Sequence, residues 1–468
     1  MPGSQSTVPA APCRFVGREK ELRALDEAWA RRPGLVVVYG RRRVGKTRLV
    51  TEWLRLRGAR SVYYLAHLSS HGHNLKRFAQ RAAEQLGDPL IARLSPTSLG
   101  DLLAILARAG VEVVVIDEVT YWIRAAPIVL SELQEFVDHY LPGSRMLLVL
   151  TGSLVGVMEH EVLGGGSPLH ARAATRLKLE QLEFRYLREF VPRWSSVDRV
   201  RLYAVVGGIP FYLCLVAGAE SLEEALRRLI VGPGAPLREE KDMLLREELR
   251  DPHVYNAVLS ALARGYDTPY RVAQATGLDP SHVSKYLHVL AHLSIVEKRV
   301  PLFKKKGRYA IRDPVIRSWF GLVEPVLELL EIGEEGRALE KIASMLDQYA
   351  AATWEDLVRQ HLLRLYAPRG YQRAGFLEHR GEELDVAILD EAGKRAIVAE
   401  VEWSTLSLGE AERLRRTALE KAYRLLPGGY SVEGAYVAAR GLRGGPRPPW
   451  LLLPGDLDSP AGVGAEAS

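Results

Sequence analysis

Four short runs of β-branched and aliphatic residues, 34–39 (GLVVVY), 61–66 (SVYYLA), 111–116 (VEVVVI) and 146–151 (MLLVLT), alternate with helical stretches at 45–57, 73–86, 98–109 and 127–140. Strands separated by whole helices cannot close as hairpins, so they pair in parallel beneath covering helices. The fold class expected is α/β. With 468 residues the chain has room for about three domains of ~150 residues. Its 47% hydrophobic and 26% charged residues suit packed cores and exclude a disordered or fibrous chain.

Composition shifts set the expected boundaries: a disordered start (1–13), an α/β core (14–183), a helical lid (184–252), a winged helix (253–330), a small α/β domain (331–453) and a disordered tail (454–468). The lid is broken by GGIP at 207–210 and VGPGAP at 231–236, both turn-forming. In the last domain a helix at 345–366 precedes strands near 382–389, 395–402 and 432–438, with a helix at 409–425. No apolar run approaches the ~18 residues that span a bilayer, and the N-terminal residues lack a signal peptide's basic end and apolar centre. A cytoplasmic chain without membrane contact is expected. The two cysteines, Cys13 and Cys214, are too few for a disulfide framework or a four-ligand zinc site, and are read as incidental.

Directly after the first β-run stands Gly40-Arg41-Arg42-Arg43-Val44-Gly45-Lys46-Thr47, fitting G-x-x-x-x-G-K-[ST] and opening a helix through Arg48. That context gives the pattern its chemistry: backbone N–H groups curl around phosphates, Lys46 reaches the β- and γ-phosphates, and the Thr47 hydroxyl ligates Mg²⁺. The run VVVIDE ends in Asp117-Glu118, where Asp117 can hold Mg²⁺ through water and Glu118 can deprotonate an attacking water. LTGS follows the fourth run, so Thr151 or Ser153 can meet the γ-phosphate or that water. ATP or ADP with Mg²⁺ is the expected ligand.

With FVGREKEL (15–22), SPLHAR (167–172), GGIPFYL (207–213), LLREELRDP (244–252) and IRDPVIRSWF (311–320) added, the chain from about 15 to 440 resembles the archaeal P-loop ATPases of the signal-transducing, AAA-like division. Members often carry a nuclease-like C-terminal domain. The resemblance implies that Phe15, Val16 and Gly17 lie against adenine, that the turn at Gly208-Ile209-Pro210 closes on the nucleotide, and that Arg172 stabilises developing charge. ATP-dependent self-association is also expected.

Residues 253–320 hold 11 Lys+Arg against 4 Asp+Glu, a surplus of 7 beside the whole chain's 6. In HVSKYLHVLAHL, Val283, Leu287 and Leu290 share an inward face and leave Ser281, His282, Ser284, Lys285 and His288 outward, able to reach base edges or phosphates of double-stranded DNA. The tip Lys304-Lys305-Lys306-Gly307-Arg308 reads as a wing gripping phosphates. A protein-docking module is the other reading of this segment.

Glu355, Asp385, Glu400 and Glu402 resemble a metal-dependent nuclease pattern of an acid, then D, then E-x-K. Glu400 and Glu402 share a strand face, so with Asp385 they can hold Mg²⁺. Glu402 stands in the lysine's place, which leaves the site without its cation. His67, His71 and His73 could be read as a metal cluster, but a polar loop after a strand explains them better. The sequence therefore points to an ATPase switch that couples nucleotide to DNA binding. Its alternatives are a DNA-binding regulator with structural nucleotide and an ATP-gated nuclease.

Overall fold

The computed structural model describes residues 13–93, 96–249 and 251–458. The chain divides into two compact units, Arg14–Gln181 with Ile209–Phe211, and Leu182–Gly208 with the chain from Tyr212 onward and Cys13. No helix among the described residues is long and apolar enough to cross a membrane.

The first unit is built on five parallel strands: β1 (Gly34–Tyr39), β2 (Ser61–Leu65), β3 (Val113–Asp117), β4 (Leu147–Gly152) and β5 (Ala173–Lys178). Their order is β2-β3-β4-β1-β5. Both β3 and β4 are buried at every residue, which is why they read as unbroken apolar runs rather than alternating ones. One face packs on Phe78, Trp122 and Phe136, and the other on Leu25, Leu49 and Trp53. The edge strand β5 alternates covered residues, Ala173 buried and the next two of these half-buried, with exposed ones. Its polar sequence, AATRLK, gave no strand signal.

This order sets β4 between the strand that leads into the Gly40–Thr47 loop and the strand that ends at Asp117. Val38 pairs with Thr151, and Ile116 with Leu150. The C-terminal ends of all three strands therefore open on one edge, the position where open parallel sheets bind ligands.

In the second unit, helices Pro252–Ala263, Pro269–Thr276 and Pro280–His292 precede an antiparallel hairpin, β6 (Val296–Arg299) with β7 (Arg308–Ile311). This is the anticipated winged helix. Each of the last two helices has Pro in its first turn and a capping side chain, from Thr268 and Asp279 respectively. A long helix, Glu335–Tyr366, leads into β8 (Arg373–His379), β9 (Glu382–Asp390), β10 (Arg395–Ser407), β11 (Ser431–Arg443) and β12 (Leu451–Leu452), in the order β12-β11-β10-β9-β8. The helix Leu408–Leu425 is the crossover between parallel β10 and β11, and starts at a Ser407–Glu410 capping box.

Two expectations change. Cys13 and Cys214 are bonded to each other across a sequence separation of 201; two cysteines far apart in a sequence carry no pairing signal, so they looked incidental. Of the expected tail, 454–458 forms a short 3-10 turn with Pro454 and Leu457 buried, and Asp458 accepts from Ser196 and pairs with Arg199. Residues 1–12 and 459–468 lie outside the described residues.

Candidate functional site

The Gly40–Thr47 loop leaves β1 and enters the helix Lys46–Arg57 through Gly45, at φ 98°. A Cβ on Gly40 would stand 2.5 Å from the Leu179 carbonyl oxygen, so only glycine fits there. Lys46 is buried and its Nζ donates to the carbonyls of Gly40 at 3.0 Å and Arg41 at 3.3 Å. Pro210 Cγ lies 3.8 Å from where a Gly45 Cβ would be, and the Arg43 guanidinium stacks 4.1 Å over the Phe211 ring. Thus Ile209–Phe211, far along the sequence, packs on the loop.

Asp117 is the hub of the opposite wall. Its Oδ2 accepts from Thr47 Oγ1 at 2.7 Å and from Tyr63 Oη, and its Oδ1 accepts from Thr151 Oγ1 and the Glu118 amide at 3.1 Å. Glu118 sits in the left-handed region at φ 52°. Its Oε2 accepts from Ser153 N at 2.9 Å and Ser153 Oγ at 2.7 Å, and Lys46 Nζ stands 3.9 Å from its Oε1. Burial first, and then the Asp117 charge, raises the Tyr63 phenol, which keeps it a donor.

The structure brings Gly40, Gly45, Lys46, Thr47, Asp117, Glu118, Ser153 and Pro210 together. Phe15 packs against the core cluster that includes Val44 and Leu49, and neighbouring Gly17 has φ 67°. Val16, Arg41 and Arg42 are half-buried, and Arg48 is exposed. Arg172 is engaged elsewhere, paired with Asp138 at 2.6 and 2.8 Å and donating to the Pro168 carbonyl. Two contributors escaped the sequence reading. Arg18 is buried and donates to the Val44 carbonyl at 3.0 Å. Tyr63 reaches Asp117 because β2 adjoins β3; alternation along SVYYL was the available signal, since it sends Tyr64 into the core and Tyr63 to the other face.

His71 accepts from Trp122 Nε1 at 3.2 Å and faces Glu132 at 3.3 Å, a structural network rather than a ligand set. No group of three or more His, Cys, Asp or Glu among the described residues is arranged to hold a metal ion.

That applies to the C-terminal acids too. Asp385 accepts from the Val401 amide at 2.7 Å, and Glu400 pairs with Lys421 at 2.7 Å. Burial pushes Glu400 up to about 7, with Lys421 opposing and the Asp385 charge adding to the rise. Asp385 is raised as well, by burial, so the pair retains a proton above the usual carboxylate range. Burial, then the charges of Asp385 and Asp356, lifts Glu355 to about 7. Glu402 is exposed, beyond the last β9–β10 pair at Val386 and Ala399. The metal set Asp385, Glu400 and Glu402 is therefore corrected: strand alternation gives a shared direction, but only Glu400 is covered by the sheet and the crossover helix. A cation does stand beside these acids: Lys421 of that helix, paired with Glu400.

In the winged helix, Ser281, His282, Ser284, Lys285 and His288 are exposed while Val283, Leu287 and Leu290 are buried. The wing is not free. The Leu302 amide donates to the Phe376 carbonyl at 2.8 Å and its side chain lies in a core with Leu377 and Leu384. Arg308 pairs with Glu378 at 2.7 Å, and Lys304 Nζ lies 3.3 Å from His379 Nδ1. Lys305 and Lys306 remain exposed.

A phosphate-cradling loop on a parallel sheet, with a carboxylate pair on the next strand but one, defines a P-loop nucleoside triphosphatase. A model of an ATPase domain found predominantly in Archaea matches residues 15–216, and a model of archaeal and bacterial proteins of unknown function matches 319–414. An uncharacterized protein of Methanocaldococcus jannaschii is 31% identical over 419 residues, covering 87% of this chain and 92% of that one. An uncharacterized ATP-binding protein of the same organism is 46% identical over 41 residues, 8% of this chain and 70% of that one. The Walker-type ATPase of Pyrococcus abyssi superposes with TM-score 0.51 at 20% identity, over 65% of this chain and 96% of that one, a likeness of fold. The chain belongs to this family of archaeal P-loop ATPases with an appended C-terminal domain.

Proposed function

We propose that the chain is an ATP-hydrolysing switch whose nucleotide state sets how its winged helix engages duplex DNA. The observation that carries this reading is the pairing of Thr47 with Asp117 at 2.7 Å beside a Glu118 held by Ser153 and facing Lys46. The residues fit a nucleotide with Mg²⁺. The loop keeps glycine at Gly40 and Gly45, where the backbone runs at positive φ, and Thr47 and Asp117 already converge as two hard oxygen donors. When bound, Mg²⁺ would supply charge neutralisation on the phosphates.

The chain's own groups do the rest. Lys46 turns from the loop carbonyls to the β- and γ-phosphates. Ser153 fixes Glu118 at the carboxylate oxygen it contacts, leaving the other oxygen to take the proton of the attacking water. The basic third helix of the winged helix supplies the DNA contacts, through Lys285 and His288. The C-terminal domain, whose buried Glu400 is paired with Lys421, serves as the platform on which the wing docks. Nucleotide binding and single-turnover hydrolysis test the reading: Lys46→Ala loses ATP binding, whereas Glu118→Gln keeps it and loses turnover. Wild-type turnover in Glu118→Gln would remove Glu118 as the base.

A further inference from the structure

The only two cysteines of the chain, Cys13 and Cys214, are joined. Each is half-buried rather than enclosed, so a thiol of a small reductant can reach the bond. A disulfide that a thiolate can reach undergoes thiol–disulfide exchange.

The bond joins two chain segments that each continue into residues of the first unit. Cys13 is two residues before Phe15, which packs against the core cluster that includes Val44, and five before Arg18, which donates to the Val44 carbonyl. Cys214 belongs to the helix Pro210–Val216, whose first residues are the Pro210 and Phe211 that pack on Gly45 and Arg43. By covalent connectivity alone, the disulfide closes a ring that contains the phosphate loop, Asp117 and Glu118. It limits how far the two segments can separate for a nucleotide to leave.

We propose that Cys13 and Cys214 form a reversible redox site that sets the rate of nucleotide release, an inference that rests on the nucleotide reading of the loop. A dithiol is the co-reactant. One of its thiolates attacks a sulfur of the Cys13–Cys214 bond, forming a mixed disulfide and releasing the other cysteine as a thiolate that takes up a proton. The second thiol of the reductant, deprotonated, then displaces the remaining cysteine. Two electrons and two protons reach the protein, and the reductant leaves as a cyclic disulfide. Reoxidation by a disulfide of low molecular weight runs the exchange in reverse.

The test uses the full chain loaded with a fluorescent ADP analogue and chased with unlabelled ADP, before and after dithiothreitol, with thiol labelling counting the freed cysteines. Reduction is expected to speed release about fivefold or more. Cys13→Ser and Cys214→Ser should both release fast and ignore the reductant. Cys13 lies outside any helix or strand, so its variant serves if substitution on the helix disturbs folding. Unchanged release in wild type with two labelled thiols would overturn the proposal, even with a lowered melting temperature, and would leave a stabilising crosslink only. Failure of both redox forms to bind the analogue would instead overturn the nucleotide reading, and this proposal with it.

Discussion

Glu118 and Ser153 are joined twice: one carboxylate oxygen accepts from both the Ser153 amide, at 2.9 Å, and its hydroxyl, at 2.7 Å. Ser153 follows β4, the strand inserted between β1 and β3, so the sheet order itself brings the pair together. Ser153 is thus a positioning residue for the proposed base. Ser153→Ala keeps the amide contact and removes the hydroxyl. A fall of about tenfold in kcat with KM for ATP within threefold is expected in steady-state hydrolysis; a KM effect alone would place Ser153 on the nucleotide instead.

Tyr63 and Thr47 share one oxygen of Asp117. Removing the Tyr63 hydroxyl leaves that oxygen oriented by Thr47 alone. Tyr63→Phe is expected to weaken Mg²⁺ several-fold, read as the Mg²⁺ concentration that half-retains a bound nucleotide, while nucleotide affinity in EDTA is unchanged. Equal losses with and without Mg²⁺ would mean the ring, not the hydroxyl, matters.

The docked wing alters what salt titrations should show. Lys304 and Arg308 face His379 and Glu378, so Lys305 and Lys306 are the tip cations left for phosphates. Changing both to Ala should lower the log-log salt slope of duplex binding by up to ~2, and Lys285→Ala by a further ~1. A slope indifferent to Lys285 would assign the winged helix to protein docking.

Much of this was legible in the sequence. The parallel core, the phosphate loop and the outward face of the Pro280–His292 helix all follow from periodicity and motif spacing. What was not legible depends on tertiary partners. Leu302 looks like an ordinary wing residue until β8 lies against it, Lys421 is nineteen positions from the lysine's expected place at 402, and the polar β5 is a strand because β1 offers it an edge. Arg172 matched a motif position, yet Asp138 supplies a bidentate partner that no local pattern announces.

Glu355 carries a pH signature. Its folded-state value of about 7 stands above the ordinary glutamate value of 4.5, so the folded chain binds the extra proton. That contribution is full below about 4.5 and is lost as pH rises through about 7. Glu355→Gln should therefore melt above wild type at pH 8, with the two curves converging near pH 5. A variant that is less stable at pH 8 would show that the carboxylate is satisfied there.

The central claim is that nucleotide state governs DNA engagement, and the most direct measurement is duplex affinity of Glu118→Gln, by fluorescence anisotropy, with ATP and Mg²⁺ against ADP and Mg²⁺ at one salt concentration. The account predicts dissociation constants at least fivefold apart, with the difference abolished when Lys46→Ala is added. Equal affinities in the two nucleotide states, with both nucleotides shown to be bound, would contradict it.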